Sequence, residues 1–205
     1  MTQSIAEMRL RKHKTGANMN EQIAVKDNAV PLEWCSHVIN LMGEGKPASI
    51  GAGERVSDIR RSNVTFVDNM IDNWTLFQPV MDIVNEINSQ FYNFSIDLPE
   101  SLQITRYDSD NQGFYEPHKD SGPVNTDMMG RGRVRKLSIV IQLSQPEAYE
   151  GGELVFPDNK EYFPEAVKAQ GTAIIFPSYL LHGITPVTKG VRHSLVGWFL
   201  GQPFK

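Results

Sequence analysis

The chain has 205 residues, 40% of them hydrophobic and 21% charged, with a net charge of −4; a chain of this size and mixed charge can build a core of its own, which argues against disorder. That charge gives no global basic field for nucleic acid, although a local basic patch stays open. The single cysteine, Cys35, excludes a disulfide framework and any cysteine-cluster metal site, and makes a reducing cytoplasm the simplest setting.

Residues 1–20 are polar and basic, without a period and without the apolar stretch of a secretory signal. They read as a flexible basic arm ahead of one domain over residues 21–205. Gln22–Val25 is predicted as a short strand. Pro31 opens a helix through Leu41 with Leu32, Cys35, Val38 and Ile39 on one face, and Gly43, Gly45 and Pro47 end it. Cys35 is then a core residue and not a nucleophile. The segment Val56–Val67 holds the β-rich run Val64–Val67, expected in the main sheet. A second helix over Asn73–Tyr92 places Leu76, Phe77, Val80, Ile83, Val84, Ile87 and Phe91 on a wide apolar stripe, which needs a sheet or helix to lie against.

After Pro99 the period changes from helical to alternating. Strands are predicted at Leu102–Tyr107, Phe114–Lys119, Lys136–Leu143, Gly152–Phe156, Ala166–Ala169, Thr172–Phe176, His182–Thr185 and Arg192–Leu200. Turns at Asp108–Gly113, Gly151-Gly152, Pro157–Asn159 and Lys189-Gly190 separate them. Short strands so punctuated make a mainly β sandwich or jelly roll over residues 101–205, with residues 21–100 as a helical support layer packed on one outer face. The apolar run Leu195–Leu200 is far too short to span a membrane.

The chemistry begins at His118-Lys119-Asp120. Residues i and i+2 of an extended segment point to one side, so His118 and Asp120 can face a common point. His182 opens another strand and can reach that point from the opposing sheet. Two imidazoles and one carboxylate leave about three positions of an octahedral ion open, the ligand set of non-haem Fe(II) oxygenases. The chain has five histidines, so the triplet alone also admits ordinary surface and core roles. Of the others, His13 lies in the arm, His37 near the polar face of the first helix, and His193 opposite Arg192. Arg192 adds weight. Alternation puts Arg192, Ser194, Val196 and Trp198 on one strand face, and an arginine inside an apolar barrel needs a partner. No acidic residue nearby supplies one, whereas a ligand carboxylate would.

The stretch Leu102-Gln-Ile-Thr-Arg-Tyr107 through Tyr115-Glu-Pro-His-Lys-Asp120 resembles the 2-oxoglutarate and Fe(II)-dependent dioxygenases of the prolyl-4-hydroxylase-like group, in its short single-domain bacterial and bacteriophage form. So do Arg135–Ser144, Tyr149-Glu-Gly-Gly-Glu-Leu154, Phe176-Pro-Ser178 and His182–Arg192. The resemblance implies a double-stranded β-helix with His118, Asp120 and His182 as metal ligands. It also implies Arg192 on the distal carboxylate of 2-oxoglutarate and Tyr107 as a cosubstrate hydrogen-bond partner. Ser194 forms an Arg-x-Ser pair with Arg192 of a kind that recurs in related oxygenases. Gln142 reads as a core amide or a cosubstrate contact, and Trp198 as core or pocket lining. The implied reaction is oxidative decarboxylation of 2-oxoglutarate, coupled to hydroxylation of an unactivated C–H bond. Its cofactor is Fe(II), its cosubstrates are 2-oxoglutarate and O₂, and ascorbate serves as reductant. The implied substrate is a peptidyl proline or lysine, with a small molecule left open. The Gly-, Met- and Arg-rich segment Ser121–Arg135 is expected to form a mobile loop at the site's mouth, and Arg131, Arg133, Arg135 and Lys136 could attract an acidic peptide or a phosphate backbone. The Arg60–Asn63 segment is expected opposite. Two other classes stay open: a jelly-roll module, virion-associated or structural, with a vestigial metal site, and a cupin-like metalloenzyme that does not use 2-oxoglutarate.

Overall fold

A computed structural model describes residues 8–10, 22–48, 58–68, 70–97, 99–126, 130–159 and 167–204. The elements in chain order are β1 (Met8–Leu10), β2 (Ala24–Lys26), α1 (Leu32–Met42), β3 (Lys46–Pro47), β4 (Arg60–Arg61), β5 (Asn63–Val67), α2 (Trp74–Ile87), β6 (Leu102–Asp108) and β7 (Phe114–His118). They continue with β8 (Asn125–Thr126), β9 (Gly132–Gln142), β10 (Tyr149–Gly151), β11 (Leu154–Val155), β12 (Ala173–Pro177), β13 (His182–Ile184) and β14 (Val187–Gly201). A large antiparallel sheet runs β1-β2-β12-β9-β14-β6-β5-β3, with β10 also on β14 and β8 on β9; a smaller sheet runs β11-β13-β7-β4. The two sheets make the mainly β jelly roll expected from the strand pattern.

Alternation along the central strands sorts their side chains onto two faces. Leu102 and Ile104 of β6, Leu137, Ile139 and Ile141 of β9, and Leu195 and Phe199 of β14 point outward, into one core with both helices. Cys35, Val38, Leu76, Val80, Val84 and Ile87 meet them there. Tyr107, Val140, Ile174 and Phe176 point the other way, into a second core shared with Leu154 and Ile184 of the smaller sheet. The helices therefore cover one outer face, leaving the space between the sheets for the site. Cys35 is 0% exposed and its thiol is pushed up to about 11 by burial, in keeping with a packing role.

Helix α2 contains Pro79, which cannot donate to the carbonyl of Thr75 one turn back. Trp34 of α1 fills the gap, its Nε1 donating to that carbonyl at 3.3 Å. The stripe predicted to Tyr92 ends as one π-helical turn over Asn88–Tyr92. Asn88 closes it by exchanging two 2.9 Å hydrogen bonds with the Phe94 backbone.

Several expectations need correction. Leu32 does not join the buried face of α1 but stands 56% exposed, because that face runs through Cys35, Val38 and Met42 and the helix's first residue lies outside it. The strand expected at Ala166–Ala169 does not form over its described residues 167–169. Lys189-Gly190 is not a turn but part of β14, where Gly190 takes φ 68° opposite Tyr149. The segment Ser121–Arg135 is not one loop: β8 pairs with the start of β9, Asn125 against Arg133. Nor is its basic run an open patch, since Arg133 pairs with Asp97 at 2.6 Å, Arg135 with Glu100 at 2.5 Å, and Lys136 is only 6% exposed. Of the arm, Met8–Leu10 pairs with β2, and the remaining residues lie outside the described ones. Val56 and Ser57 of the segment before β4 do too, while Val64–Val67 falls in β5 against β6.

Candidate metal centre

His118 ends β7, His182 begins β13, and the ladder pairs them directly, so the two imidazoles arrive side by side from adjacent strands. Asp120 lies two residues past His118. Its Oδ1 is 3.5 Å from His118 Nε2 and its Oδ2 is 3.4 Å from His182 Nε2. One ligand atom from each residue falls within 4.8 Å of the other two.

Each imidazole is aimed by its own backbone. His118 Nδ1 donates to the Glu116 carbonyl and His182 Nδ1 to that of Leu180, both at 2.9 Å. A proton fixed on Nδ1 leaves the Nε2 lone pair free for a metal. Tyr115 stacks on the His118 ring at 3.6 Å between centroids, and Phe176 meets the His182 ring edge-on at 4.7 Å. Ser138 Oγ, arriving from β9 of the large sheet, donates to Asp120 Oδ2 at 2.7 Å, and Ser178 Oγ stands 2.9 Å behind it. The Ser121 backbone N–H donates to the Ser178 carbonyl at 2.8 Å and ties down the chain just past the carboxylate. Burial opposes ionisation of Asp120, but the two neighbouring imidazoles, His118 first, and the Ser138 hydroxyl hold its carboxyl well below the usual range. Burial also pushes His182 down, keeping its imidazole neutral and able to bind a metal. Two imidazole nitrogens, one carboxylate oxygen and an open side suit a divalent cation such as Fe(II) that must keep positions free.

The open side is a cavity of about 260 Å³ between the sheets. His118, Asp120 and His182 line it, together with Tyr107, Ser194 and Trp198 from the expected face of the sheet, and Arg60 lies in the wall from β4. Tyr107 and Ser194 form the wall nearest Arg192. Arg192 itself is 0% exposed. Its Nη1 donates to Ser194 Oγ at 3.3 Å and its Nη2 to Gln142 Oε1 at 2.9 Å, while Nε has no partner. Gln142 in turn donates to the Val167 carbonyl at 2.6 Å, so the amide aims the guanidinium. Among the described residues no carboxylate lies within ion-pair distance of Arg192.

Sequence reasoning did not find Ser138, Ser178, Gln103 or Tyr115. Gln103 lines the cavity at 4% exposure, its Nε2 donating to Thr105 Oγ1 at 2.7 Å. Alternation along β6 and β9 could have flagged Gln103 and Ser138 as polar residues on an inward face.

Residues 102–200 match the family model of the 2OG-Fe(II) oxygenase superfamily. The chain is 39% identical over 172 residues to a PKHD-type hydroxylase of Maricaulis maris, covering 82% of this chain and 73% of that one. It is 32% identical over 126 residues to the PKHD-type hydroxylase YbiX of Escherichia coli, covering 57% of this chain and 52% of that relative, about half its length. Among solved structures, the viral collagen prolyl hydroxylase of Paramecium bursaria Chlorella virus-1, in complex with 2OG, has a TM-score of 0.65 at 20% identity, covering 89% of this chain and 97% of that one. A prolyl hydroxylase of Trichoplax adhaerens, bound to a hypoxia inducible factor peptide fragment, has a TM-score of 0.65 at 15% identity, covering 87% and 83%. These two share its fold. The chain belongs to the 2-oxoglutarate/Fe(II) oxygenase superfamily, with PKHD-type hydroxylases among its relatives. It is thus a dioxygenase of the hydroxylase kind, whose family uses Fe(II), 2-oxoglutarate and O₂.

Proposed function

We propose that His118, Asp120 and His182 hold the Fe(II), and that Arg192, with Tyr107 and Ser194, receives the distal carboxylate of 2-oxoglutarate. The observation that carries this reading is the buried arginine without a carboxylate, set behind the wall of the cavity that the three metal-binding candidates line. An iron ion held there would supply the chemistry by which O₂ is the oxidant, one oxygen atom going into succinate as 2-oxoglutarate loses CO₂ and the other into the hydroxylated C–H bond. The protein aims two imidazoles, keeps one carboxylate ionised, neutralises the far end of the cosubstrate and positions the reacting carbon in the cavity beside the metal.

The two neighbouring structures, a collagen prolyl hydroxylase and a prolyl hydroxylase bound to a peptide, favour a peptidyl proline over the lysine alternative as substrate, entering past Arg60 and Trp198. Residues 21–205 act as one domain, since both helices share their core with the large sheet. Among the described residues no helix is long and apolar enough to cross a membrane, and a single buried cysteine fits a reducing, cytoplasmic setting.

The test is an anaerobic titration of the Fe(II)-loaded protein with 2-oxoglutarate, followed by visible absorption. A saturable charge-transfer band is expected, absent in His118→Ala. Arg192→Ala should need at least tenfold more 2-oxoglutarate while binding Fe(II) as the parent does. Iron bound without a band would overturn the cosubstrate assignment, and equal loss of iron and 2-oxoglutarate in Arg192→Ala would overturn the role of Arg192.

A further inference from the structure

The large sheet outruns the smaller one. Past β6 it continues through β5 and β3, whereas the smaller sheet stops at β4. Direct cross-strand partners share a face of a sheet, as do residues i and i+2 of a strand. The ladders pair Phe66 of β5 with Gln103 of β6, and Val64 with Lys46 of β3. Gln103 lines the metal cavity, so all four side chains belong to the inward face. That face borders a groove of about 470 Å³, which Arg60 lines from β4, the edge of the smaller sheet. Arg60, Phe66 and Gln103 line the metal cavity as well, so groove and cavity are continuous.

Phe66 is 52% exposed, where Val64 two residues before it is 8%. A large aromatic left open beside a reaction cavity is surface that an occupant would bury. The charges on the two sides of the groove point to what that occupant is. Lys46 is exposed, and among the described residues no carboxylate lies within ion-pair distance of it or of Arg60. Arg60 is held instead by Ser62 Oγ, to which its Nε donates at 2.8 Å. It is also held by Tyr115, over whose ring it lies at 4.5 Å and with which it shares a side-chain hydrogen bond. These contacts fix the guanidinium and leave its charge unneutralised. By contrast Arg106, Arg133 and Arg135 are paired with Asp108, Asp97 and Glu100. In a chain of net charge −4, two unneutralised cations flanking an apolar groove favour an anionic occupant. The edge of β3 is guarded, since Pro47 has no N–H to offer and Lys46 discourages strand addition, so the occupant lies on the face of the sheet and not along its edge.

We propose that this groove is the subsite for the stretch of a peptide substrate beside its hydroxylated residue: Phe66 packs against that stretch, and Lys46, with Arg60 opposite, selects an acidic side chain in it. β3 lies two strands beyond β6, roughly 10 Å across the sheet, which is the reach of about three residues of extended chain. The acidic residue therefore stands about three positions from the target. The assignment rests on the reading above, that the cavity takes a peptidyl residue. Lys46, Arg60, Val64 and Phe66 all precede residues 102–200, the stretch that matches the family model, so this selection belongs to the chain's N-terminal layer and not to the oxygenase core.

The experiment is fluorescence anisotropy on the full chain loaded with 2-oxoglutarate and Mn(II), a redox-inert stand-in. The probes are labelled alanine-based peptides with one central proline, in which the third residue to either side is aspartate, asparagine or lysine. The aspartate peptide should bind roughly two- to tenfold tighter than the asparagine one, the worth of exposed ion pairs, and the lysine peptide should bind weakest. Lys46→Glu should abolish that preference or turn it toward lysine. Phe66→Ala should weaken all the peptides at least about twofold with their order kept. Lys46 is exposed on a strand of two residues, so the fold of Lys46→Glu, read by circular dichroism, and its affinity for 2-oxoglutarate should match the parent. An aspartate preference under twofold in the parent, one that survives Lys46→Glu, or unchanged peptide binding in Phe66→Ala would overturn the proposal and leave the peptide reading standing. Weaker 2-oxoglutarate binding in Lys46→Glu would overturn it in favour of an effect on the cosubstrate. A parent that binds 2-oxoglutarate but none of the peptides would remove the peptide reading, and the subsite with it.

Discussion

Ser138 reaches the metal centre through a single hydroxyl, 2.7 Å from the inner oxygen of Asp120. Ser138→Ala removes that bond and leaves Ser178 without its partner, so Asp120 becomes free to turn. Iron affinity should fall by about 10- to 100-fold, the usual scale for a bond that orients a ligand, with the fold intact; competition against a chelator measures the first and circular dichroism the second. At this scale the sequence disclosed the metal-binding candidates and Arg192, because each stands in a chemically improbable pattern: two ligand types at i and i+2, and a cation on an apolar strand face. Ser138 escaped because alternation marks it only as a polar residue on an inward strand face, not what it touches. Its role depends on a distance between sheets, from β9 to the chain beyond β7, that no local pattern encodes. Tyr115 escaped for a similar reason, its ring being distinguished only by what it stacks on.

Between elements, α2 packs over Gly197 of β14. A Cβ there would meet Leu102 Cδ2 at 3.0 Å, Ile139 Cγ2 at 3.1 Å and Val80 Cγ1 at 3.7 Å. Gly197→Val would have to lift the helix or displace two core side chains. The loss expected is about 1–3 kcal/mol, read as a lower urea midpoint, while Ser194 and Trp198 on the opposite face keep their places. Both helices were legible because their apolar stripes run for several turns and a wide stripe admits one reading. Short strands were less so. β4 and β8 have two residues each, too few to show alternation, and exist because a neighbour offers them a ladder. Gly190 misleads in another way: Lys-Gly looks like a turn, yet Gly190 takes its positive φ inside β14, a strand of 15 residues, paired there with Tyr149 of β10.

Taken whole, the molecule carries a titration that bears on its stability. His193 faces away from the cavity beside Ser144, with Arg106, Arg192 and Asp108 as its charged neighbours, and is pushed down to about 4 by burial first and the two arginines next. In the unfolded chain it titrates near the ordinary value of about 6.5. Below that point the unfolded chain takes up a proton that the folded chain refuses until pH approaches 4, so the contribution is complete above pH 6.5 and is lost as pH falls between the two values. Urea midpoints at pH 7 and pH 5 should therefore differ more for the parent than for His193→Gln. The placement that makes this residue sensitive is the one the sequence foretold, opposite Arg192 on the same strand, while the two arginines that flank it come together only in the folded sheet.

Both imidazoles are held by carbonyl oxygens of the main chain two residues upstream, Glu116 for His118 and Leu180 for His182. Every residue type carries that carbonyl, so side-chain substitution at those two positions leaves the acceptors in place. The aim of the nitrogens is inherited with the path of the backbone and drifts little as the surrounding sequence diverges. The carboxylate is different, because serine hydroxyls support it. Evolutionary or deliberate retuning of this centre thus has its readiest handle at Ser138 and Ser178, while the histidine half stays constant for as long as β7 and β13 keep their course.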